Sequence, residues 1–143
     1  MRTVTGLVAV LFVLSLTSVG FAGSDIPDLK GTWIVKGSGH KFEKPGAHLS
    51  EIYKASPGFH EIEFPLIIDK QDGFRFSGYR QISKQGKKDV SGVIGFDNQT
   101  VYMADENGIA IGKLVSPDTM ECIYLESVKH RSIASREIIT RKR

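Results

Sequence analysis

The chain of 143 residues contains a single cysteine, Cys122. One thiol excludes an intramolecular disulfide and any cysteine-based metal framework. Its flanks, Met120-Glu121 and Ile123-Tyr124-Leu125, carry the pattern of a strand, so Cys122 is expected as a buried structural thiol. Charge of one sign is also scarce. Nineteen basic residues face sixteen acidic ones, for a formal charge of +3. Basic side chains cluster only at Lys84-Lys87-Lys88 and Arg141-Lys142-Arg143, which read as a turn and a chain end. A nucleic-acid partner would call for a basic stripe interleaved with aromatics, and none is present.

Catalytic signatures are missing too. His40, His48, His60 and His130 do not pair at i, i+2 or i, i+4, and they read as surface residues, two of them in an irregular segment. Ser38 lies in Gly37-Ser38-Gly39, without the flanking spacing of a nucleophile elbow. No glycine-rich phosphate loop follows a strand and opens a helix. These absences point to a non-enzymatic protein with no metal and no cofactor.

One long hydrophobic run is present. After Met1-Arg2, residues Val4 to Phe21 hold no charge, and Gly20 and Ala22 place small residues before a cut after Ala22. This is the grammar of a secretory signal peptide, which assigns residues 1–22 to the signal and 23–143 to one exported domain. About 18 apolar residues lie at the lower edge of what spans a bilayer, and the small-residue site favours cleavage. The exported chain would then keep no membrane span, whether it works in a periplasm or outside the cell.

The rest of the chain repeats with period two between short turns, and nowhere with a helical period over three turns. Strands are expected at Leu29 to Lys36, around Ile62-Phe64-Leu66-Ile68, at Phe74-Phe76-Gly78, and at Val90-Gly92-Ile94-Phe96. Further ones follow at Val101-Met103, Ile109 to Val115, Met120 to Glu126 and Ser132 to Arg141. Gly37 to Gly58 reads as a long loop with one strand near Leu49 to Tyr53. Pro65 demands an edge, bulge or bend in its strand. Asp72-Gly73 and Asn107-Gly108 mark hairpins whose glycines suit positive φ. About eight antiparallel strands joined by short hairpins hide their edges best by closing into an up-and-down barrel, all-β; an open sandwich is the alternative, and the short, evenly spaced hairpins favour the meander. Such a barrel has an interior that is filled or holds one small ligand.

Three stretches resemble the calycin barrels, the lipocalins and avidins. They are Leu29-Lys30-Gly31-Thr32-Trp33, Asp72-Gly73-Phe74-Arg75-Phe76-Ser77-Gly78-Tyr79, and Ile138-Ile139-Thr140-Arg141-Lys142-Arg143. The resemblance implies that Trp33 of the first strand stacks against Arg141 of the last and closes one end. It also sets Glu137 where avidins place a last-strand Asp or Asn facing the ligand, and Tyr124 near a ligand-packing aromatic. It does not extend to biotin: Trp33 is the sole tryptophan, Val35 and Gly39 stand at polar first-strand positions, and Tyr79 follows Gly78 directly. One residue of slip turns a side chain to the other face.

Glu137 shares an alternating face with Ile133, Ser135, Ile139 and Arg141. If that face points inward, a carboxylate lies inside the barrel and needs a partner, because Arg141 is about 13 Å along the strand. A twist or bulge would turn it to solvent instead. Glu137, Tyr124, Met103 and Phe96 are the candidate ligand contacts. Phe64, Phe74, Phe76 and Met120 join them in lining a pocket or filling the core. The leading expectation is a binding protein for a small apolar or amphipathic molecule, with Gly37 to Gly58 as a lid. A secreted inhibitor or interaction module with a filled barrel and a protein partner for that loop is the alternative. A small-barrel enzyme would need titratable groups converging near Glu137.

Overall fold

The structure, a computed structural model, describes residues 25–43, 58–83 and 86–143. The N-terminal apolar run, Lys84, His48 and the strand expected near Leu49 to Tyr53 lie outside these residues. Eight strands follow one another: β1 (Gly31–Glu43), β2 (Gly58–Asp72), β3 (Arg75–Gln81), β4 (Lys87–Ile94), β5 (Thr100–Ala104), β6 (Gly108–Ser116), β7 (Thr119–Val128) and β8 (Arg131–Arg141). Each pairs antiparallel with the next, and β8 pairs back onto β1, closing an up-and-down barrel. Among the described residues no helix is long and apolar enough to cross a membrane.

The period of two reappears as burial. On β7 Met120, Cys122, Tyr124 and Glu126 point inward, and on β8 Arg131, Ser135, Glu137 and Ile139 do so. An eight-stranded barrel has room for little beyond side chains, so bulky residues need small neighbours. Phe76 lies over Gly92, where a Cβ would fall 2.1 Å from the ring. Cys122 lies over Gly112, where a Cβ would come within 2.1 Å of the sulfur. Burial pushes that thiol up to about 12, with the nearby Glu137 carboxylate adding to the effect. Cys122 is thus a neutral core thiol.

One end of the barrel is apolar and plugged. Leu29, Trp33, Leu66, Ile68, Met120 and Ile139 are almost fully buried there. The segment before β1 folds across this end. The Trp33 Nε1–H donates to the Leu29 carbonyl at 2.9 Å, and the Leu29 N–H donates to Gln71 Oε1 at 2.7 Å. Gly31, at φ 131°, turns the chain from this plug into β1. Arg141 then covers the indole, its guanidinium carbon 4.2 Å from the ring centroid. The register sets Trp33 opposite Arg141, as the resemblance implied.

Three local expectations need correction. β1 continues through Gly37-Ser38-Gly39 to Glu43, so the irregular segment does not begin at Gly37. Those glycines are inward or lining positions that make room for β8 side chains, not turn residues. Pro65 does meet the expected edge: it keeps its register against Ile34 but lies just beyond the β2–β3 ladder, which ends at Leu66 opposite Arg80; the bulge comes later, between Ile68 and Lys70. The β5–β6 turn does not place Asn107 or Gly108 at positive φ. Asp105 shapes it instead, its Oδ1 accepting from the N–H groups of Asn107 and Gly108, both at 2.9 Å. Finally, Lys88 is no surface turn residue: it is buried inside the barrel on β4.

Candidate functional site

The half of the barrel opposite Trp33 is different in kind. Its inward positions carry Lys41, Arg80, Lys88, Glu126, Arg131, Ser135 and Glu137, all buried. Each continues the inward phase of its own strand, for example Phe76 to Arg80 on β3 and Val90 to Lys88 on β4. Burying charge is costly unless each group finds a partner. The strands supply them. Arg80 Nη1 donates to Asp105 Oδ2 at 3.1 Å, and its guanidinium stacks 4.6 Å over the Tyr124 ring. Tyr124 donates its hydroxyl to Glu126 Oε2 at 2.9 Å, and Arg131 pairs with Glu126 on its other oxygen. Lys41 pairs with Glu43 at 2.8 Å, and Lys88 with Glu106 at 3.2 Å.

A cavity of about 200 Å³ opens within this half. Apolar walls come from Ile62 and Phe64 on β2, Ile82 after β3, and Ile133 on β8. Its buried polar groups are Lys41, Arg80, Tyr124, Ser135 and Glu137, with His40, His60 and Glu61 also on the lining. Two glycines of β1 create the space. Gly37 lies opposite Glu137 and Gly39 opposite Ser135 in the register. A Cβ on Gly37 would come within 3.0 Å of the Glu137 Cγ, and one on Gly39 within 2.6 Å of the Ser135 Cβ.

Glu137 is 2% exposed. Ser135 donates its hydroxyl to Oε1 at 3.3 Å, while Oε2 has no hydrogen-bond partner among the described residues. The Arg80 Nε–H is also without one. Burial pushes the Glu137 carboxyl above its ordinary range; Arg80 and the Ser135 hydroxyl pull it part of the way back, and Asp105 pushes it up again. Tyr124 is likewise pushed up, by burial first and then by Asp105 and Glu126, so it stays a neutral phenol.

Of the residues singled out from the sequence, Glu137 and Tyr124 meet in the cavity lining. Met103 does not reach it and packs in the core between Gly92 and Ala110. Phe96, expected among the ligand contacts, is a correction: it is fully exposed in the β4–β5 turn. The strand stops at Ile94, and Asp97 caps the turn by accepting from the N–H groups of Gln99 and Thr100. Arg80, Asp105, Glu126 and Arg131 were not singled out. Their signal was phase alone, since they occupy every second position counted from the buried apolar residues.

Chemically, the site can hold an apolar body and present one donor, Arg80 Nε, and one acceptor, Glu137 Oε2, to a polar head. Its titratable groups do converge, as an enzyme would need. They are however tied to one another: the Ser135 hydroxyl faces a carboxylate, and Cys122 and Tyr124 are held in their neutral forms. Among the described residues no three His, Cys, Asp or Glu side chains form a metal-holding group. No family model, no curated protein and no solved structure matches this chain.

Proposed function

We propose that this chain is an exported, non-enzymatic binding protein of calycin type that holds one small amphipathic molecule in the polar-mouthed half of its barrel. The observation that carries the reading is a cavity with apolar walls beside two buried polar atoms that lack partners, Glu137 Oε2 and Arg80 Nε. Buried polar atoms are nearly always satisfied in folded proteins, so one left open beside a cavity is available to whatever enters it. The volume, about 200 Å³, is below the usual range for drug-sized ligands, so the ligand is a small one. The signal-like N-terminal run supports export.

Native mass spectrometry of the protein purified from its own host tests this. An excess mass that vanishes on solvent extraction is the expected result, and a clean apo mass across preparations contradicts it. A second reading, a protein-interaction module, has the outer surface in its favour. Val93, Tyr102, Ile111 and Ile123 lie side by side across β4 to β7, each more than two-fifths exposed. Contiguous exposed apolar patches of this kind mark interaction surfaces. In the same spectra this reading predicts a bound protein partner in place of a small mass.

A further inference from the structure

Among the described residues the buried cations of the polar half each have a carboxylate, and one buried carboxylate is left over. Lys41 has Glu43, Arg80 has Asp105, Lys88 has Glu106 and Arg131 has Glu126. These cations sit on β1, β3, β4 and β8, and each already touches its own carboxylate. Glu137 is a buried acid at the cavity wall, and among the described residues only the Ser135 hydroxyl is bonded to it. A lone buried carboxylate beside aliphatic walls either keeps its proton or acquires a cation.

We propose that the ligand is a small organic cation, a primary or secondary amine on an apolar body. Its N–H donates to Glu137 Oε2 while the body lies against Ile62, Phe64 and Ile133. This rests on the cavity being a ligand site and adds the charge of the occupant. An anionic ligand would meet Glu137, and the two buried cations on the lining, Arg80 and Lys41, are already engaged by Asp105 and Glu43. A neutral ligand would satisfy the hydrogen bond and leave the carboxylate without a counter-charge. A metal ion would need several oxygen or nitrogen side-chain ligands, and among the described residues Glu137 is not part of such a group.

The groups facing Glu137 settle how binding couples to protons. Arg80 reaches toward it from β3, Asp105 from the end of β5, Cys122 from β7, and Ser135 from its own strand; β1 sets Gly37 beside it and brings His40 and Lys41 to the same cavity, and β2 sets Ile62 beside it and brings His60 and Glu61. Before binding, the carboxyl is held neutral over a wider pH range than an exposed one. When an ammonium ion enters, the carboxyl proton goes to solvent and an ion pair forms. When the free base enters, the same proton moves to the amine nitrogen. Either way no co-reactant is required.

Calorimetric titration of the purified protein with 2-phenylethylamine, 2-phenylethanol and 3-phenylpropionate, between about pH 5 and 9, tests the proposal. The amine should bind at least about tenfold more tightly than the alcohol, and the carboxylate weakest of the three. Amine affinity should rise with pH, by up to about tenfold per unit while Glu137 is protonated, with proton release visible as a buffer-dependent heat. Glu137→Gln should remove the amine's advantage over the alcohol together with the rise of amine affinity with pH. The pH profile of the unaltered protein stands even if that variant folds poorly. Equal binding of amine and alcohol would overturn the cation and leave the cavity reading intact, and tightest binding of the carboxylate would overturn it in favour of Arg80. Failure of all three to bind would overturn both.

Discussion

The guanidinium of Arg141 lies 4.2 Å over the indole of Trp33, and the same side chain donates to the carbonyls of Lys30 and Asp28 at 2.7 Å each. One planar group thus ties the last strand to the segment that plugs the barrel. Its Nε–H also donates to Asp118 at 3.1 Å, so all faces of the fork are in use. Arg141→Ala should cost about 1–3 kcal/mol, seen as a lower urea midpoint with an unchanged slope. Arg141→Lys should recover little of this, because an ammonium cannot reach both carbonyls while stacking. Full recovery by lysine would show that charge alone mattered.

Phe76 fills the volume that a side chain at position 92 would occupy. Gly92→Ala should therefore destabilise by about 1–3 kcal/mol through overpacking. In a Phe76→Leu background the same alanine should cost clearly less, because the clashing ring is gone. A thermal or urea double-mutant cycle reads the coupling. Strict additivity would contradict the packing described.

Glu137 carries the pH dependence of the interior. Its carboxyl lies above the ordinary value of 4.5, chiefly through burial. Below that value both folded and unfolded chains hold the proton, and no difference arises. As pH rises from there through the folded value, the unfolded chain loses its proton first, so the native state loses stability. Glu137→Gln should remove this fall, so its advantage over the unaltered protein in urea midpoint grows from about pH 4 upward. An advantage that shrinks with rising pH would mean that the carboxylate is stabilised in the native state.

The barrel was legible because its alternation is regular where one face meets the core. Ile62 to Ile68, Val90 to Ile94 and Met120 to Tyr124 each continue the same phase into buried positions. The site was legible only through Glu137 and Tyr124, which the resemblance and the β8 pattern set on the inner face. Lys88, Arg80 and Arg131 escaped because a charged residue is ordinarily read as turned to water, whereas here partners across neighbouring strands hold it inside. Gly37 and Gly39 read as a turn for a related reason. A glycine that makes space for the acid on the next strand cannot be told from a turn glycine until that strand is in place. Phe96 was carried one step too far along a true alternation, past the point where Asp97 ends the strand.

The most direct test of the account is methyl NMR of isoleucine-labelled protein titrated with 2-phenylethanol and 2-phenylethylamine. The cavity is walled by Ile62, Ile82 and Ile133, while Ile109, Ile111 and Ile123 face outward on β6 and β7. Shifts confined to the first three, saturating together, are the predicted result. Shifts at the outward three with the inner set unmoved would contradict a ligand site inside the barrel and move the functional surface to its exterior.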